Sequence, residues 1–292
     1  MQEAVDSKSV TILAQGVELA GRYYPPIGPI RANLVLHPAT GVPQRYYRHF
    51  AEWAARRSVG TLTYDYRDFG ESLHRPMRES ESTFADWLIH DQSAADRVLS
   101  ELAPDGPLWS LGHSAGGLGL LFRNLNPRVE RIITIGSGFA HVSDHPWSYL
   151  PVVLAFWYVV GPLGASVAGY LPGRRLLLGA DLPAGVYWQW RKWCTQRDFF
   201  QSDIGKDLPP PKFDIGSAKL RVLTMIDDVV VPPRAVRKFV NAFASGGASF
   251  EILNPSDYEL PSLRHVEVFS KNCAPAWPAI LGLGEEAKEK EY

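Results

Sequence analysis

The chain has 292 residues, 46% of them apolar and 21% charged, a composition ordinary for a soluble globular protein and long enough for one large domain or two small ones. Its 30 basic and 31 acidic side chains leave a formal charge of −1, which argues against the basic excess of a nucleic-acid binder. Two cysteines, Cys194 and Cys273, make no disulfide framework and fit a reducing compartment; MQEAVDSKSV lacks a basic segment followed by an apolar one, so the expected location is cytoplasmic.

In chain order, the β-rich runs Val10–Leu13 and Val17–Tyr24 around Gln15-Gly16 predict a hairpin. Ala32–Leu36 predicts a buried strand, Tyr46–Arg57 a helix and Gly60–Tyr64 a strand. Phe84–Leu102 predicts a helix capped by Ser82 or Thr83. A strand over 107–111, a helix over 115–124 and a strand over 131–135 follow. After a long interruption come a strand over 220–226, a helix near Arg234–Phe243, a strand over 248–253 and a last helix near 267–281. The tail GEEAKEKEY (284–292) is charged and expected to be solvated. Strands alternating with helices imply βαβ units and a mostly parallel sheet, and the continuous apolar runs imply strands covered on both faces.

The interruption runs from about Phe139 to Asp214 and holds five of the nine tryptophans: Trp147, Trp157, Trp188, Trp190 and Trp193. No formally charged residue occurs from His145 to Gly173. A membrane span is not expected there, because Pro151 and the Gly161-Pro162 pair interrupt a helix that needs about 20 residues. The stretch also lies between two strands of one proposed sheet. The expectation is an apolar insertion over one end of that sheet, acting as a lid on a hydrophobic pocket walled by Trp147, Trp157 and Trp188.

The chemistry centres on LGHSAGG (111–117). Gly112-His113-Ser114-Ala115-Gly116 fits G-x-S-x-G after a predicted strand and at the start of a predicted helix. Glycines two residues to either side relieve close contacts in the sharp turn that lifts Ser114 Oγ above the strand end. A serine hydroxyl needs a base, and the base a partner that orients it. Of the eight histidines, only His141, His145 and His265 follow Ser114, and only His265 stands after the late strand 248–253. In IDDVVVPP, Asp228-Val-Val-Val-Pro232 has the spacing of an acid, a short apolar stretch and a helix-starting proline. Asp228 is the expected acid, and Asp227 the alternate that would otherwise take up a backbone N–H. An oxyanion hole would use the Ala115 N–H and a second amide from LHPATG (36–41). Pro38 has no N–H, so Ala39 is expected, with Thr40 as the other possibility. His37 and His113 are read as structural.

The set HPATGVPQRYY, TYDYRDFGES, GHSAGG, GYLPGRRLLLGADLP, WQWRKWC and IDDVVVPP resembles the α/β-hydrolase superfamily, within it a bacterial branch of predicted hydrolases related to serine aminopeptidase and monoglyceride-lipase types. The resemblance implies the α/β-hydrolase fold: a mostly parallel sheet with helices on both faces, a core over 1–138 and 215–292, and an inserted cap over 139–214. It implies a Ser–Asp–His triad on Ser114, Asp228 and His265, with no metal or organic cofactor. The chain departs from its relatives at Asp68 in DYRDFG, where they carry glycine, so the turn or the pocket charge should differ. The implied activity is hydrolysis of an ester, thioester or amide of a small hydrophobic substrate. Acyl transfer and non-catalytic binding of a hydrophobic ligand remain open on the same scaffold.

Overall fold

The computed structural model describes residues 5–176, 179–243 and 247–283, and the charged tail falls outside them. Strands β1 (Lys8–Ala14) and β2 (Val17–Tyr24) form the hairpin, with Gln15 and Gly16 both at positive φ in its two-residue turn. Next come β3 (Ala32–His37), β4 (Val59–Tyr64), β5 (Leu108–His113) and β6 (Val129–Ile135). The short antiparallel pair β7 (Tyr170–Leu171) and β8 (Leu182–Pro183) precedes β9 (Lys219–Met225) and β10 (Ser249–Leu253).

Eight strands form one sheet in the order β1-β2-β4-β3-β5-β6-β9-β10. The hairpin joins antiparallel through β2 and β4, and every pairing from β4 to β10 is parallel. Every residue of β3, β4 and β5 is buried, polar Asn33, Thr61, Thr63 and Ser110 included, as happens when helices cover both faces of a sheet. Alternation sorts the side chains: Leu34 and Leu36 enter one core cluster and Val35 the other.

The helices are α1 (Arg48–Ala55), α2 (Phe84–Asp86), α3 (Gln92–Leu102), α4 (Ala115–Leu118), α5 (Leu150–Ala155), α6 (Gly161–Ala168), α7 (Ala184–Thr195), α8 (Pro233–Ala242) and α9 (Trp277–Leu281). Phe50 of α1 packs with Trp277 of α9 on one face, while α3 and α8 bury Leu99 and Phe239 on the other. Thr83 caps α2 and Asp86 returns the bond to the Thr83 N–H, a capping box; a π turn over Trp87–Asp91 joins α2 to α3.

Three helices differ from expectation. The predicted helix over 115–124 is only Ala115–Leu118 and a 3₁₀ turn, since Gly116, Gly117 and Gly119 disfavour a longer one. The predicted helix near 267–281 breaks into 3₁₀ turns before α9, because Pro275 and Pro278 withdraw two backbone donors. In the opposite sense, Pro151 and Pro162 do not interrupt the apolar stretch. Helix runs unbroken from Leu150 to Ala168 through a π turn at Phe156–Val160. Pro151 sits in the first turn, where its missing N–H costs nothing, and the π turn shifts the ladder just before Pro162.

This helix is long and apolar enough to cross a membrane by length and composition, and 22% of its most apolar window is buried. It nevertheless lies between β6 and β9, which pair directly in the sheet. Its inward residues Val153, Trp157 and Ala165 join the core cluster that also holds Val222 and Phe239.

Candidate active site

β5 ends at His113 and α4 begins at Ala115, so Ser114 makes the whole turn between them. It does so at φ 53°, ψ −118°, a conformation strained for any L-residue. Its N–H is tied to Ile135 O at the end of β6, 2.9 Å away. A Cβ on Gly112 would lie 2.4 Å from Gly117 Cα, and one on Gly116 would lie 2.0 Å from the His37 carbonyl oxygen. Glycine is thus needed for two different approaches: strand end against helix start, and helix start against β3.

His265 and Asp228 reach this turn from loops beyond β10 and β9. His265 Nε2 lies 2.9 Å from Ser114 Oγ, and His265 Nδ1 lies 2.7 Å from Asp228 Oδ2. A carboxylate oxygen only accepts, so Nδ1 carries the proton and Nε2 faces the serine as the acceptor. Asp228 and His265 are buried, and Asp228 Oδ1 accepts the N–H groups of Val230 and Val231 at 2.9 and 2.8 Å. Asp227 points the other way and accepts the N–H groups of Leu263 and Arg264 at 2.9 and 3.1 Å, holding the loop that carries His265. Gly136, at φ 62° just past β6, leaves room for the imidazole: a Cβ there would lie 3.1 Å from His265 Nδ1.

His113 and His37, read as structural, are both buried supports of the site. His113 is fully buried and bonded at both ends, to Tyr47 Oη through Nδ1 and to the His265 carbonyl through Nε2, each at 2.8 Å. Burial, and next the neighbouring His265, lower its pKa to about 3, so the ring is neutral. His37 lies 2.8 Å from Tyr64 Oη and meets Asp96 and Arg123 beneath the sheet end; burial, then Arg123, bring its pKa to about 4.

Ser114 opens into a cavity of about 380 Å³ bordered by Thr40, Ala115, Leu118, Val153, Phe156, Trp157, Trp190, Phe199, Val231 and His265. Of the three predicted wall tryptophans, only Trp157 is there. Trp147 is 89% exposed in the turn before α5, and Trp188 is 38% exposed on the outer side of α7, while Trp190 lines the cavity instead. His145 was also missed; it borders the cavity with its Nδ1–H bonded to Val229 O at 3.0 Å.

The expected oxyanion donor Ala39 is corrected as well. Its N–H is given to Tyr47 Oη at 2.9 Å, and the cavity is lined by Thr40. Ala115 borders the cavity at the first position of α4, where a helix leaves N–H groups without intrahelical partners. Asp68 takes φ 54°, the conformation for which glycine is the usual residue, and its Oδ2 accepts the hydroxyls of Ser80 and Ser82 at 2.7 and 2.6 Å. It fastens its own loop and does not line the cavity.

No family model and no curated protein matches the chain. Among solved structures, a soluble variant of monoglyceride lipase from Saccharomyces cerevisiae superposes with a TM-score of 0.63 at 14% identity, over 98% of this chain and 96% of that one. A hypothetical protein from Pseudomonas aeruginosa gives 0.60 at 16% identity over 98% and 94%, and the esterase domain of a Rhodothermus marinus protein gives 0.55 at 17% over 97% and 98%. The strand order, the strained turn after β5 and these superpositions agree: the chain has the α/β-hydrolase fold.

Proposed function

We propose that the protein is a serine hydrolase that cleaves an ester of a small hydrophobic acyl or aromatic group through an acyl-enzyme. The observation that carries this reading is the unbroken line Asp228–His265–Ser114, with bonds of 2.7 and 2.9 Å, ending in an apolar cavity. Ser114 Oγ attacks the acyl carbon while its proton passes to His265 Nε2. The carbonyl oxygen becomes an oxyanion and accepts from the N–H groups of Ala115 and Thr40, each such donor worth roughly 3–4 kcal/mol in comparable sites. Asp228 steadies the imidazolium. His265 then returns the proton to the leaving oxygen as the ester C–O bond breaks, and water repeats the sequence on the acyl-enzyme. A thioester would follow the same course.

Phe156, Trp157, Trp190 and Phe199 make an aromatic wall that suits an apolar acyl chain, and the 139–214 segment that supplies them serves as the lid of this site. A passive receptor would have no use for a serine held in a strained turn against an oriented base. The test is hydrolysis of p-nitrophenyl esters of graded chain length. Ser114→Ala should lower turnover by about 10⁴-fold or more with unchanged circular dichroism. Equal rates for variant and wild type would end this reading.

A further inference from the structure

We infer that Tyr47 and Tyr66 are positioning residues that clamp the Pro38–Ala39 peptide and thereby aim the Thr40 N–H at the oxyanion. This rests on the serine-hydrolase reading and adds to it a reason why the second donor is Thr40.

After β3 each successive peptide unit has its polar atoms accounted for. His37 O is packed against Gly116, with no room for even a Cβ between them. The next peptide unit presents its two polar atoms on opposite sides, as every trans peptide does. Both are taken: Tyr66 Oη donates to Pro38 O at 3.0 Å, and the Ala39 N–H donates to Tyr47 Oη at 2.9 Å. The unit after that is fixed by a turn in which the Val42 N–H donates to Ala39 O at 3.2 Å and Gly41 has φ 76°, as a type II turn requires at its third residue. With Ala39 O turned toward Val42, the Thr40 N–H of the same plane points the other way, and Thr40 borders the cavity beside Ser114 and Ala115.

Neither tyrosine can drift. Tyr66 lies flat on Trp87 at 4.7 Å and 7°, and its Oη accepts from Gln92 Nε2 at 3.2 Å. Tyr47 sits edge-on to Phe269 at 5.2 Å, and its hydroxyl donates to His113 Nδ1. His113 Nε2 in turn donates to the His265 carbonyl, so the clamp on the oxyanion loop and the loop of the proposed base share one chain of hydrogen bonds. Both tyrosines are fully buried. A buried hydroxyl that satisfies a loop peptide fixes the direction of that peptide, because the alternative is an unpaired polar group away from water.

The test uses Tyr66→Phe and Tyr47→Phe, which keep the rings and remove the hydroxyls. The control is Tyr23→Phe, which removes a hydroxyl bonded to Asn33 Oδ1 at 2.8 Å outside this chain of bonds. Each clamp variant should lower kcat about tenfold or more, with KM within about twofold, while the control leaves kcat unchanged. The inhibition constant of an alkyl trifluoromethyl ketone, which places an oxyanion in the hole on addition of Ser114, should rise by the factor by which kcat/KM falls. Inhibition by the matching trifluoromethyl alcohol, which forms no oxyanion, should not change. Wild-type protein gives a second reading independent of the variants: on ketone binding the Thr40 amide proton should move downfield and the Ala39 amide should stay. Unchanged kcat in both variants, equal weakening of ketone and alcohol, or a downfield shift at Ala39 in place of Thr40 would overturn the clamp while leaving the hydrolase reading intact. A wild-type protein that neither hydrolyses esters nor takes up the ketone would overturn both.

Discussion

Ser114 is held at φ 53°, ψ −118° by glycines that have no side chain to give. Around it, neighbouring residues of like type are separated only by direction. Asp227 and Asp228 are both close to His265, yet one accepts backbone N–H groups of the histidine loop and the other accepts the imidazole N–H. Their substitutions should therefore differ in kind. Asp228→Asn would present an amide to the imidazole and favour the wrong tautomer, so kcat should fall by about 10⁴-fold with little change in stability. Asp227→Asn loses charge-assisted bonds to Leu263 and Arg264; it should cost about 1–3 kcal/mol in urea unfolding and lower kcat far less. A larger loss of kcat in the Asp227 variant would reverse the two assignments. Spacing to Pro232 pointed to Asp228 in the sequence. Nothing there separated Ala39 from Thr40, because that choice depends on a hydroxyl, Tyr47 Oη, eight residues on along the chain.

Among the elements, α7 shows how helical phase decides which tryptophans meet the cavity. Val186, Trp190, Trp193 and Cys194 stand at i, i+4, i+7 and i+8 and turn inward, and Trp188 lies about 200° round from Trp190. Reading the segment as aromatic, without fixing the phase, put Trp188 in the wall and left Trp190 out. Trp190→Ala should raise KM for hexanoate esters about tenfold, equivalent to roughly 1.4 kcal/mol of lost apolar contact, while Trp188→Ala stays within about twofold. Equal effects on a chain-length series would remove α7 from the substrate site. The helix across Pro162 was illegible for a related reason: a π turn is a local change of ladder that residue preferences do not announce. The parallel strands, by contrast, were readable to within two residues, since short runs rich in Val, Leu, Ile and Thr between turn residues have few other uses.

At the scale of the whole molecule, the loops at the ends of β3, β5, β9 and β10 converge on one edge of the sheet, and buried hydrogen bonds run between them. His113 is the link most exposed to test by pH. Its ring has a pKa of about 3 in the folded chain, against about 6.5 for an unfolded histidine. Between those values the unfolded chain binds a proton that the folded chain refuses. The contribution of a neutral His113 is therefore complete above about pH 6.5 and is lost as pH falls, at about 1.4 kcal/mol per pH unit. His113→Gln keeps a donor for the His265 carbonyl and cannot titrate. The gap in unfolding free energy between wild type and this variant should shrink by about that slope from pH 6 to pH 4, measured with urea. A gap independent of pH would mean that the folded ring protonates as freely as the unfolded one. The fold-level convergence was legible because the order Ser114, Asp228, His265 matches the order in which these loops return to one edge; the network beneath them was not, because it joins residues 66 to 152 positions apart.

The pairing of Ser114 with His265 is open to covalent labelling by an alkyl fluorophosphonate, with the adduct located by peptide mass spectrometry. Wild-type protein should form a single adduct, on Ser114, at a rate about 10³-fold or more above that of His265→Ala. A folded wild-type protein that stays unlabelled, or one labelled equally well without His265, would rule out Ser114 as a nucleophile activated by His265.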